Sequence, residues 1–96
     1  MQIAICDDEV SMVQILEKKI KKLLPDAVID KYLSGDELIA SGSKPDILFL
    51  DIQMPGMDGM TLAQHIREQN SRIEIVFVSS HAEFALRGYN VRAADY

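Results

Sequence analysis

Four apolar residues in an unbroken run, Ile47-Leu48-Phe49-Leu50, constrain the fold of this chain more than any other feature. Pro45 and Asp46 precede the run, Asp51 ends it, and the turn-rich segment Ile52-Gln53-Met54-Pro55-Gly56-Met57-Asp58-Gly59 follows. An apolar run this short, bounded by turn signals, reads as a strand over Asp46 to Leu50 that is buried on both faces. In an open α/β sheet, ligands bind beyond the carboxyl ends of the strands, and Asp51 would stand at such an end. Read alone, Asp51 need only begin the turn, and Asp58 need only cap the helix after it.

The remainder of the chain alternates strand and helix patterns around that run. Gln2 to Cys6 reads as a strand, followed at once by Asp7-Asp8-Glu9. Val10, Met12, Val13, Leu16, Ile20, Leu23 and Leu24 then form one apolar stripe on a helix that Pro25 stops. Ile15 falls off this stripe among Ser11, Lys18 and Lys22. Lysines there make a solvated face, and an exposed Ile15 among them is what a helix that docks a partner would show. Val28 to Leu33 reads as a strand, and Ser34-Gly35-Asp36-Glu37 as a capping box opening a short helix that ends near Gly42. Met60 to Gln69 is a helix capped by Asp58, and Ile73 to Val78 a β-branched strand. Ser79-Ser80-His81 leads into a helix through Phe84, Ala85 and Leu86 that Gly88 ends; Ala93-Ala94-Asp95-Tyr96 begins a fifth strand. Such alternation predicts a parallel sheet with right-handed crossovers. The nearest arrangement is the flavodoxin-like order 2-1-3-4-5, in which strands one and three are neighbours.

Composition narrows the class. Ninety-six residues make at most one domain, and a net charge of −5 argues against a nucleic-acid surface. The single cysteine, Cys6, lies in an apolar run and cannot build a disulfide framework. No segment is long and apolar enough to span a membrane and none reads as a signal peptide, so the reading places the chain in the cytoplasm.

Strand order brings Asp7, Asp8 and Asp51 to one rim. Acids at a helix start can simply favour the positive end of the helix dipole. Three carboxylates together repel unless a cation joins them, and a hard divalent ion with oxygen ligands, Mg²⁺ in cells, suits the set. An aspartate carboxylate can also attack phosphorus and carry an acyl phosphate. The rim loops, Asp7 to Ser11, Leu33 to Asp36, Asp51 to Gly59 and Ser79 to Glu83, contain no Lys or Arg.

The Met-Pro-Gly-Met-Asp-Gly tail behind Asp51 resembles the phosphoacceptor loop of two-component response-regulator receiver domains. That resemblance covers the whole chain and implies a signalling module rather than an enzyme, with self-catalysed phosphotransfer and dephosphorylation. By it, Asp51 accepts a phosphoryl group from a sensor histidine kinase. Asp8 is a direct Mg²⁺ ligand, Asp7 a ligand or a holder of metal-bound water, and the backbone carbonyl of Gln53 completes the set. Ser79 corresponds to the family's switch hydroxyl and Tyr96 to its switch aromatic; on the residues alone they read equally as a turn hydroxyl and a terminal residue. Ser80 departs mildly from the smaller residue usual there. His81-Ala82-Glu83-Phe84-Ala85-Leu86, with Ala93 to Tyr96, is similar to receivers that precede LytTR-type DNA-binding domains, which implies transcription regulation through a domain outside this chain.

The family pattern continues past Tyr96 with a lysine, a proline and a final helix, so the chain reads as a receiver cut short. On that reading the fifth strand is incomplete and the last helix missing, self-association is expected, and Asp51 should bind Mg²⁺ yet accept phosphate poorly. An interaction-only pseudo-receiver is the competing reading. A free-standing aspartyl phosphatase fits less well, because the position two residues beyond its nucleophile would be Gln53 rather than an acid. A flavin site lacks a glycine-rich phosphate cradle.

Overall fold

Alternation of short apolar strands with amphipathic helices sets the architecture. In the computed structural model, which describes residues 1–78, four strands alternate with three helices. The strands are β1 (Gln2–Cys6), β2 (Val28–Tyr32), β3 (Ile47–Asp51) and β4 (Glu74–Val78); the helices are α1 (Val10–Leu23), α2 (Gly35–Ser41) and α3 (Gly59–Gln69). All strand pairs are parallel and the order is β2-β1-β3-β4, the flavodoxin-like order for these strands. The expected fifth strand lies outside the described residues.

Successive strand residues face opposite sides, and the register aligns like with like. Ala4, Leu48 and Ile75 form one row across the sheet, and Cys6, Leu50 and Phe77 another. These rows pack with Leu38 of α2 and Leu62 and Ala63 of α3 into one core. Ile3 and Ile5 pair with Ile47 and Phe49 on the other face and pack with Val13 and Ile20 of α1. The apolar run of β3 is therefore covered on both sides, and its alternate residues belong to different cores.

Local signals place most of the boundaries. Ser34 Oγ accepts from the Glu37 N–H at 3.1 Å and opens α2, and Gly42 closes it with φ 67°, in the left-handed region that glycine adopts without strain. Asp58 Oδ1 accepts from the Thr61 N–H at 2.8 Å and caps α3. Several boundaries shift by one residue: β2 ends at Tyr32 rather than Leu33, α3 starts at Gly59 rather than Met60, and β4 starts at Glu74 rather than Ile73. β3 starts and ends one residue later than the strand read over Asp46 to Leu50: Asp51 extends the ladder opposite Val78, while Asp46 turns its carboxylate to the Gln2 N–H at 2.8 Å. The stripe on α1 is also longer than its footprint, since Val10, Leu23 and Leu24 at its ends are exposed. A 14-residue helix is about 21 Å long and the five-residue strands beneath it about 17 Å, so the helix ends overhang. Ile15 is exposed, as its position off the stripe predicts.

Candidate functional site

Because β1 and β3 are adjacent and parallel, the residues that end them emerge side by side. Asp7 follows β1 directly, and its N–H donates to the Tyr32 carbonyl at 3.0 Å, which anchors it against the end of β2. Its side chain is buried, 4% exposed, and Oδ1 accepts from the Glu9 N–H at 2.9 Å. That bond serves α1, whose N-cap Glu9 gives no side-chain hydrogen bond of its own. Asp8 is exposed and Asp51 half-buried. Carboxylate oxygens of Asp7, Asp8 and Asp51 all lie within 4.8 Å of one another. The convergence read from strand order is present.

Electrostatics records the crowding. Burial, then the charge of Asp7, pushes the Asp51 carboxyl up to about 7, against the lowering effect of the Gln53 backbone N–H. Asp7 is likewise raised by burial, with the Glu9 N–H holding it down. Burial and the surrounding carboxylates push the Cys6 thiol up to about 12, so it stays protonated, with Met54 Sδ 4.0 Å from its Sγ. Cys6 is a core residue.

The loop after Asp51 is built inward as well as outward. Ile52 and Met54 are buried in the core shared by α2 and α3, while Gln53 and Pro55 between and beside them are exposed. Gly56 takes φ 78° to turn the chain. Gly59, first residue of α3, donates its N–H to the Ile52 carbonyl at 2.6 Å. A Cβ at Gly59 would collide with the Asp51 carbonyl oxygen and come within 2.8 Å of Ile52 Cα. Glycine here lets the helix start abut the strand end. Read from sequence, Asp58-Gly59 is only a turn and cap, and the positioning roles of Ile52, Met54 and Gly59 are not visible. The spacing Leu50, Ile52, Met54 was the available signal, since it continues the strand's inward alternation into the loop.

Ser79 and Tyr96, the expected switch residues, lie outside the described residues, as do His81 and the segment that carries the LytTR-type resemblance. Among the described residues no helix is long and apolar enough to cross a membrane.

Similar proteins are regulators. The positive alginate biosynthesis regulatory protein of Pseudomonas aeruginosa is 33% identical over 99 residues, covering all of this chain and 40% of that protein. The DNA-binding transcriptional regulator NtrC of Salmonella typhimurium is 28% identical over 96 residues, 96% of this chain and 20% of that protein. The chain thus spans less than half the length of these curated relatives, and their names give no support to a LytTR-type assignment. Among solved structures, the response regulator TrrA of Thermotoga maritima, crystallised in complex with Mg²⁺-BeF, superposes with a TM-score of 0.86 at 24% identity, over 99% of this chain and 83% of that one. The N-terminal domain of a response regulator/sensory box/GGDEF protein from Carboxydothermus hydrogenoformans gives 0.81 at 26% identity, over 100% of this chain and 79% of that one. Residues 3–96 match the response regulator receiver domain, and with that match the chain belongs to the response-regulator receiver family.

Proposed function

We propose that this chain is the phosphoacceptor module of a two-component system, taking a phosphoryl group on Asp51 from a sensor histidine kinase in the cytoplasm. The observation that carries the reading is the convergence of three carboxylates, from the ends of two neighbouring strands, within 4.8 Å. That separation is costly for like charges in a half-buried setting, as the upward displacement of Asp51 and Asp7 records. The donor set is all oxygen, which fits a hard divalent cation such as Mg²⁺ held by Asp7, Asp8, Asp51 and the backbone carbonyl of Gln53. When bound, the ion supplies positive charge against the phosphoryl oxygens and the carboxylates.

The chain's own residues would do the rest. A carboxylate oxygen of Asp51 bonds to phosphorus as the phosphorus–nitrogen bond of a phosphohistidine breaks, and the electron pair leaves with the imidazole nitrogen. Asp7, fixed by the Glu9 N–H, holds its place in the donor set. Ser79 as switch hydroxyl, Tyr96 as switch aromatic and Ile15 as the apolar anchor for the kinase belong to the same proposal. So does transcriptional output through a DNA-binding domain, supported by the regulators named above; its LytTR type rests only on the sequence from His81 to Tyr96.

The test is incubation with a small phosphodonor at saturating Mg²⁺, read by intact mass, for the wild type and Asp51→Asn. Phosphorylation that vanishes in the variant and with chelator supports the proposal. A wild type that binds Mg²⁺ but stays unmodified with both phosphodonor and kinase would instead establish an interaction-only pseudo-receiver.

A further inference from the structure

A second concave site lies at the opposite rim, where α2 and α3 end and β3 and β4 begin. It is a cavity of about 210 Å³, larger than the roughly 150 Å³ that accepts a benzene ring in an apolar protein interior. Leu38, Leu48, Ile66 and Ile73 supply its apolar lining, and Leu48 and Leu38 are fully or almost fully buried. Lys44 and His65, both exposed, line it as well.

Charge decides what the cavity can take. The chain carries 15 acidic residues and a net charge of −5, yet among the described residues none of the twelve that line the cavity is acidic. The carbonyl ends of the two helices would otherwise favour a cation, but several are already engaged. Ser41 Oγ donates to the Leu38 carbonyl at 2.6 Å and the Gly42 N–H to the Ile39 carbonyl at 3.2 Å. At the end of α3 the Asn70 N–H donates to the Ile66 carbonyl at 2.8 Å. Among the described lining residues Lys44 is the one full positive charge, and His65 adds a second donor.

We propose that this cavity binds a small apolar monocarboxylate, its ring or branched chain against Leu38, Leu48, Ile66 and Ile73 and its carboxylate beside Lys44 and His65. Apolar burial supplies most of the affinity and the lysine supplies the choice of anion over neutral isostere. The site is remote from the carboxylate rim and independent of phosphoryl chemistry.

Benzoate and its neutral isostere benzyl alcohol are the probes, titrated into the ¹⁵N-labelled chain and followed by amide shifts. The expected result is saturable benzoate shifts centred on Gly42, Ser43, Leu48 and Asn70, with a Kd on the order of 1 mM. Benzyl alcohol should bind about three- to fivefold more weakly, the discrimination a solvent-exposed ion pair provides. Lys44→Gln, a surface change, should bring the two probes level. Benzyl alcohol binding as tightly as benzoate to the wild type overturns the proposal, and so do benzoate shifts that are absent or scattered over the lysines of α1.

Discussion

Replacing Asp51 by Asn should stabilise the metal-free protein, although it removes the residue proposed to carry the phosphoryl group. The Asp51 carboxyl is displaced upward from its ordinary 3.8 to about 7, by burial first and by Asp7 second. A group whose folded-state pKa lies above its unfolded value carries no penalty below the unfolded value, where both states are protonated. The penalty grows as pH rises from about 4 and is complete above about 7. At about 1.4 kcal/mol per pH unit the displacement bounds the cost at roughly 4 kcal/mol. Asp51 is only half-buried, and solvent screening reduces this to about 1–2 kcal/mol. Asn is nearly isosteric, keeps an oxygen that can accept from the Gln53 N–H, and carries no charge beside Asp7 and Asp8. Thermal unfolding in chelator should therefore show Asp51→Asn melting roughly 5–15 °C above the wild type at pH 8, with the gap closing toward pH 4. Saturating Mg²⁺ should reverse the order, because the ion stabilises only the form that binds it. A gap of equal size at pH 4.5 and pH 8, or none at either, would falsify the electrostatic account of the site.

Three further outcomes follow from other parts of the molecule. Gly59→Ala places a methyl against the Asp51 carbonyl and strains the Gly59–Ile52 hydrogen bond, so it should lose about 2 kcal/mol net of alanine's helix preference, a fall in Tm of roughly 10 °C. A melting point within two or three degrees of wild type, on the order of experimental scatter, would show that the helix start can yield. Ile15→Asp should slow transfer from the cognate kinase on the order of tenfold while leaving Tm and the small-phosphodonor rate alone; an equal slowing with both donors would move the defect from docking to the site. Asp7→Asn should weaken Mg²⁺-induced stabilisation and also disturb the start of α1 through the Glu9 N–H. A variant with unchanged Mg²⁺ response would remove Asp7 from the donor set.

Much of this was legible because the sheet is built from short apolar and β-branched runs bounded by turn residues. Ile47 to Leu50 and Ile73 to Val78 announced strands, and Ser34 and Asp58 announced the caps of α2 and α3. What escaped was set by partners distant in sequence. Asp51 counts as strand because Val78 stands opposite it, which no local propensity of aspartate could indicate. Asp7 and Asp8 look alike in sequence, yet one is buried and the other exposed, since only Asp7 is tied to the end of β2. The inward role of Ile52 and Met54 was hidden because a segment rich in Pro and Gly reads as a loop, and loops are taken to lie on the surface. The outer turns of α1 were read as core because helical periodicity reports a face and not the length of sheet beneath it.

Among the described residues the sheet divides the interior into two cores with no buried residue in common, and this division shapes how the molecule can change over evolutionary time. The loop that follows Asp51 is rooted in the core under α2 and α3, whereas Ile15, Lys18 and Lys22 ride on a helix seated in the other. Surface substitutions on α1 can accumulate without repacking the side chains that support Asp51. Duplicated copies of such a chain could then diverge in the company they keep while inheriting the same chemistry unaltered.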